Sequence, residues 1–295
     1  MLAILDTAVV SGLRGEPLRV EVDVAPGLPS FQIVGLPDAA LSEARERVRS
    51  AIRNAGFAYP LSRITVNLAP ADRRKRGAAY DVAIAIGILL AHEQIRASGG
   101  SWALLGELSL DGTVRPVTGV LPMVATLRDA GHRRVCVPLA SVDEASLVEG
   151  IEVVGAEGLD DVARLIAGPR GRTAAQARRR TAIRIARGTT PREHDRLAPA
   201  EVTELADLRG QEQARWALEV AVAGRHNLLL VGSPGAGKTM LARAVPRLQP
   251  PLTEPEAREV AVIRSVCGLE TTSGDRLDRP FRSPHHTTSY AAMVG

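Results

Sequence analysis

Apolar and polar positions alternate along much of the chain's first half. Leu18, Val20, Val22 and Val24 interleave with Arg19, Glu21 and Asp23, the period of a half-buried strand. Phe31 to Val34 is a second apolar stretch. After Asp38 the period changes. Leu41, Ala44, Val48, Ala51 and Ile52 fall on one helical face with charges opposite, and Gly56 follows as a C-terminal stop. Arg63 to Leu68 predicts another strand, and Ala78 to Leu90 a helix too rich in Ala and Ile to be exposed. Leu104 to Val117 predicts a hairpin around Asp111-Gly112, a favoured type I′ pair. A helix over 119–130 ends at Gly131, followed by strands at Arg134–Val137 and near Ile151–Val154, then a helix near Leu159–Ile166. Strands followed by helices imply an α/β or α+β domain built on one sheet.

The second half reads differently. Residues 168–200 show Gly, Pro and Thr-Thr breaks and little apolar periodicity, which predicts a linker, helical at most around Ala174–Ala186. Ala214, Leu218 and Val222 share a helical face after Asp207 to Gln213. His226 to Val231 predicts a buried apolar strand, with an amphipathic helix starting near Lys238.

Charge sharpens this division. Residues 1–167 hold 17 Lys/Arg and 20 Asp/Glu, and residues 201–295 hold 11 of each. The linker holds 9 Arg against Glu193 and Asp195, so the chain's whole basic excess lies there. It is a solvated tether or a phosphate-contacting arm. Arg73-Arg74-Lys75-Arg76 poses the same choice on a smaller scale. The 295 residues, 45% apolar and 24% charged, suffice for about two domains. No apolar run reaches the roughly 18 residues of a transmembrane helix, and Met1 to Val10 lacks a basic secretory n-region, so the expectation is no membrane and a cytoplasmic location. Cys136 and Cys267 form neither a disulfide framework nor a C-x-x-C metal motif. Aromatic content of 3% is too low for a base-stacking platform.

The strongest chemical signal is Gly232-Ser233-Pro234-Gly235-Ala236-Gly237-Lys238-Thr239, a full G-x-x-x-x-G-K-[ST] match between a predicted strand and a predicted helix. Its glycines permit a tight turn that points N–H groups at phosphate oxygens, and the helix N-terminus adds its dipole. Lys238 reaches the β- and γ-phosphates and the Thr239 hydroxyl is the candidate Mg²⁺ ligand, so the expected cofactors are ATP and Mg²⁺.

Residues 63–90 and 106–122 resemble the proteolytic domain of Lon, and more closely the N-terminal domain of magnesium-chelatase-like proteins. In Lon-type proteases a Ser in a Gly-Pro-Ser-Ala-Gly turn is the nucleophile and a Lys some forty residues later is its base. Laid on this chain, Lys75-Arg76-Gly77-Ala78-Ala79 occupies that turn, the Ser position falls on Ala79 and the Lys position at or near Leu121. Ser109 has no Lys or His near it in sequence. The resemblance therefore implies the fold without the peptidase dyad.

Asp207 to Ala214 with Ala223 to Asn227, the P-loop, and Arg279-Pro280-Phe281-Arg282-Ser283-Pro284-His285-His286-Thr287-Thr288-Ser289 complete the picture. Together they resemble the ComM/YifB family of magnesium-chelatase-like AAA+ proteins. The resemblance implies an α/β chain: a Lon-protease-like (ribosomal S5-like) domain over 1–167, the basic linker 168–200, and an incomplete P-loop AAA+ domain over 201–295. It places Gly210 and Gln211 near the adenine. It implies an ATPase working as a hexamer in DNA branch migration, with DNA as partner. The family's apolar strand ending in Asp-Glu has no match after Leu241; Val260–Val266 is the one candidate, interrupted by Arg264. The sensor and arginine-finger residues are also lacking, so the expectation is an N-terminal portion that lacks complete catalytic residues. The alternatives are a non-hydrolysing nucleotide- or DNA-binding remnant and a magnesium-chelatase-type subunit. His285-His286 reads as a loop feature, since adjacent side chains on one strand point apart.

Overall fold

The computed structural model describes residues 1–34, 39–70, 77–168, 184–186, 205–269, 279–285 and 287–294. Asp38, the 73–76 basic cluster, His286 and all of the linker except Gly168 and 184–186 lie outside the described residues. The chain gathers into two compact units, Met1–Pro191 with Ala261–Ser273, and Arg192–Val260 with Gly274–Gly295.

The first unit is built on an eight-stranded mixed sheet. Its strands are β1 (Leu2–Ser11), β2 (Arg14–Ala25), β3 (Ser30–Val34), β4 (Arg63–Ala69), β5 (Ala103–Leu104), and β8 (Arg134–Pro138), β9 (Glu152–Ala156) and β10 (Arg184–Ala186). Between them, β6 (Glu107–Leu108) and β7 (Val114–Arg115) form a separate two-stranded ladder. The large sheet runs β10-β9-β8-β5-β1-β2-β4-β3. Four neighbouring pairs are parallel, β9-β8, β8-β5, β5-β1 and β4-β3, and the rest antiparallel.

Helices α1 (Ala39–Asn54), α2 (Asp81–Ala91), α3 (Val120–Asp129), α4 (Val142–Ala145) and α5 (Leu159–Ala167) cover the sheet. Two apolar cores result. One joins Val20, Val22, Ile64 and Val66 to α1, α2 and α5; the other joins Ala8, Ala103, Val135 and Val137 to α3 and α4. Helix α2 is buried at every residue but Leu90. Its sequence is apolar all round because no face meets water.

The sheet and α3 approach closely at Gly15. A Cβ there would stand 2.4 Å from the Pro122 carbonyl oxygen, and Thr126 Oγ1 donates a 3.0 Å hydrogen bond to the Gly15 carbonyl. Gly15→Ala should therefore cost about 1–3 kcal/mol, the usual range for overpacking. Thermal unfolding followed by circular dichroism should show the midpoint falling by several degrees; an unchanged midpoint would mean that α3 can retreat freely.

The structure departs from the sequence expectations at several points. Strand β1, the ten-residue partner of β2, is absent from the pattern reading because its inner positions include Thr7 and Ala8 and it runs nearly apolar over Ala8–Val10. The 104–117 hairpin is smaller than predicted. Ala103–Leu104 belongs to the large sheet, and Leu110, Asp111 and Gly112 form a three-residue loop. Ser109 N–H donates to the Thr113 carbonyl, Gly112 N–H donates to Ser109, and Gly112 alone in the loop takes a left-handed φ, +92°. That is a type I turn with a glycine bulge, whereas type I′ needs two left-handed residues. Arg184–Ala186 is extended against β9 and is not helical. Residues 260–266, the rejected candidate for the family's acidic strand, are helical.

The second unit contains α6 (Glu212–Gly224), α7 (Lys238–Leu248) and, at residues 254–260, the first part of α8 (Glu254–Val266); α9 (Tyr290–Val294) follows. Leu208, Leu218, Leu241 and Ala244 form its core. Residues 226–231, predicted as a buried strand, have no regular structure, and Leu229 and Val231 are 85% and 87% exposed. A strand needs hydrogen-bonded neighbours, and none pairs with this segment among the described residues.

Candidate nucleotide site

The Gly232–Thr239 segment leads directly into α7. Gly235 and Gly237 take φ of +81° and +80°. A Cβ at either would meet no heavy atom within 4 Å, so backbone conformation alone demands glycine there. Gly237 is the residue before the helix, and its carbonyl accepts the Leu241 N–H at 3.0 Å. The amides of Lys238, Thr239 and Met240 precede that bond and have no intrahelical acceptor. They form the positive end of α7, with the loop wrapped in front of it.

Lys238 is held within the loop. Its ammonium donates to the carbonyls of Gly232 at 2.9 Å and Ser233 at 2.7 Å. The cation is thus tethered beside the helix start, where a phosphate would exchange with those carbonyls. Thr239 is exposed on the first turn of α7. Amides, an ammonium and a hydroxyl are the donor set a triphosphate with Mg²⁺ requires, so the residues fit that group. No cluster of three or more His, Cys, Asp or Glu suited to a metal occurs among the described residues. A Mg²⁺ here would depend on Thr239 and on phosphate oxygens.

Gly210 and Gln211 both take left-handed conformations, φ +72° and +55°, at the start of α6. The Gln211 carbonyl accepts the Arg215 N–H, and the Arg215 side chain donates to the Leu208 carbonyl at 3.2 Å. These contacts account for the sharp entry to α6 without a ligand. A cleft of about 920 Å³ in the same unit is lined by the ends of α6 and α7, Arg225–Leu228, Glu256 and Arg279, and takes none of residues 232–239. Arg279, the first residue of the 279–289 segment, donates to the Pro250 carbonyl at 2.7 Å and pairs with Glu256 at 3.6 Å. Glu256 also accepts from Thr253 N–H and Oγ, and those bonds hold its carboxyl below the usual range. Glu256 thus supplies the carboxylate half of a capping box at the start of α8 that sequence reading had not singled out, although T-x-x-E is its signal. His285 Nδ1 lies 2.8 Å from Thr287 Oγ1, a local turn contact.

In the first unit the dyad positions are apolar and shut. Ala79 is 6% and Leu121 5% exposed, both in the core that α3 helps to form. Ser109 is buried and paired through its backbone to Thr113. Burial pushes the Cys136 thiol up to about 12, so it is inert as a nucleophile. Sequence reading missed the buried pair next to Ala79. Asp81, fully buried at the start of α2, accepts 2.7 and 3.2 Å hydrogen bonds from Arg47 of α1.

The family model described as subunit ChlI of Mg-chelatase matches residues 20–141, and that described as magnesium chelatase, subunit ChlI, matches 204–295. The chain is 41% identical over 295 residues to the uncharacterized protein YifB of Escherichia coli, covering 100% of this chain and 55% of that protein. It is 38% identical over 295 residues to the competence protein ComM of Haemophilus influenzae, covering 100% of this chain and 56% of that one. The chain belongs to the ComM/YifB family of magnesium-chelatase-like AAA+ proteins. It spans about half the length of these relatives. A shorter similarity, 31% over 88 residues, links 29% of the chain to 16% of Lon protease 2 of Bacillus subtilis. No helix among the described residues is long and apolar enough to cross a membrane.

Proposed function

We propose that this ComM/YifB-family chain binds ATP with Mg²⁺ through Gly232–Thr239, as part of a cytoplasmic hexameric ATPase that moves DNA branches. The observation that carries the reading is the placement of Lys238 and the left-handed Gly235 and Gly237 at the exposed start of α7. Lys238 binds the β- and γ-phosphates, the loop amides hold the remaining charge, and Thr239 takes Mg²⁺. When bound, Mg²⁺ neutralises charge on the phosphate oxygens. The domain over 1–167 serves as a Lon-like scaffold without peptidase chemistry, and the basic 168–200 segment links it to the nucleotide domain over 201–295. No apolar strand ending in paired acids follows the loop among the described residues. The name of the matching family model favours a second reading, a subunit that serves metal insertion into a tetrapyrrole.

A fluorescent ATP analogue titrated with Mg²⁺ tests the first reading. Lys238→Ala removes two or more charge-assisted contacts to phosphate and should weaken binding about 10- to 100-fold. Equal affinity in the variant would remove the P-loop from the site. Hydrolysis that rises with added DNA supports the DNA reading; stimulation by a porphyrin with no DNA response supports the second.

A further inference from the structure

The first unit carries a basic row that the nucleotide site does not use. Arg45, Arg49 and Arg53 recur every four residues on α1 and climb about 6 Å per step along one flank of the helix. Ala44, Val48, Ala51 and Ile52 face the core, and Arg47 turns to Asp81 on the other flank. Tyr59, just beyond the helix, draws the row together. Arg49 lies 5.7 Å and Arg53 5.8 Å from its ring centroid. Burial raises the Tyr59 hydroxyl, and Arg49, Arg45 and Arg53 all pull it the other way.

These guanidinium groups are largely uncommitted. Arg49 Nε is buried and meets no hydrogen-bond acceptor among the described residues. Glu46 is the acid beside the row. It lies 3.7 Å from Arg45 with both side chains at least half exposed, so it offsets little. Residues 1–167 carry more acids than bases, so this patch stands against the sign of its own domain.

We propose that Arg45, Arg49 and Arg53, ordered by Tyr59, form a contact site for the phosphate backbone of a nucleic acid. A row of planar guanidinium groups along a helix suits a partner with anions at regular intervals. Contact with an aromatic ring fixes the cations in advance and lowers the entropy lost on binding. The site reads charge and spacing, not bases, consistent with a chain poor in aromatic residues. It rests on the nucleic-acid reading above and assigns to the first unit a share of the DNA contact.

Fluorescence anisotropy with a labelled 30-base-pair duplex of mixed sequence, at several salt concentrations, tests it on the full chain. Arg49→Ala/Arg53→Ala should lower affinity about tenfold and make the log–log salt dependence shallower by about 2. Arg53→Glu, at an exposed position, should do at least as much without touching the core. Tyr59→Leu should weaken binding severalfold with the salt slope unchanged, as expected of a positioning residue. Wild-type binding with both arginine variants indistinguishable from it would overturn this site and leave the nucleic-acid reading standing. A wild type that ignores the duplex at low salt would overturn both. Retention on phosphatidylserine vesicles with the duplex unbound would replace the nucleic acid by a lipid surface and overturn the proposal.

Discussion

Leu121→Lys should lower the stability of the first unit by about 3–5 kcal/mol, and Ala79→Ser/Leu121→Lys should show no peptidase activity. Leu121 is 5% exposed in the first turn of α3, within the core that holds Ala79, Leu105, Val120 and Val124. A lysine there loses the apolar contacts of leucine and carries an ammonium out of water. The nearest acid, Glu144, already accepts the Leu121 N–H at 3.4 Å, and burial raises its carboxyl, so it is a poor counter-ion. Differential scanning calorimetry of wild type, Leu121→Met and Leu121→Lys gives the comparison. The methionine variant should sit near wild type, and the lysine variant roughly 10 °C lower. A lysine variant as stable as wild type would mean that the position still accepts a cation. Cleavage of a fluorescent casein by the double variant would mean that only two side chains separate this unit from a working protease.

The same residues show where sequence carries structure and where it does not. Helix α2 and strand β2 were legible because their periodicities are strong and their environments uniform. The P-loop was legible because left-handed φ at Gly235 and Gly237 leaves few residue choices. Strand β1 was not, since Thr7 and Ala8 break the alternation and only pairing with β2 defines it. Nor were residues 226–231: their composition suits a strand, but composition does not supply the neighbours that a ladder requires. The Arg47–Asp81 pair lies 34 positions apart, and only the packing of α1 on α2 brings it together. Long-range polar pairs of this kind leave no periodic trace.

That pair should give the first unit a distinctive response to pH. Burial pushes the Asp81 carboxyl up from 3.8 to about 6, although hydrogen bonds and charge from Arg47 and the Leu108 N–H pull it down. Burial also works against the Arg47 cation, but the Asp81 hydrogen bond and charge outweigh it, and Arg47 stays charged throughout. Below pH 3.8 the carboxyl is protonated in folded and unfolded chains alike, and its contribution is fully present. Between 3.8 and about 6 the folded state holds a proton that the unfolded state has released, so stability falls as pH rises. The gap corresponds to about 3 kcal/mol, complete by roughly pH 7. Asp81→Asn cannot ionise. Urea unfolding of both proteins at pH 4, 5, 6 and 7 should show wild type losing about 2 kcal/mol relative to Asp81→Asn across the series. The cost is one of desolvation: burial of the Asp81 carboxyl outweighs its pairing with Arg47. If wild type instead gains on the variant as pH rises, the Arg47 interaction outweighs burial, and the pair is a net stabiliser of the α1–α2 contact.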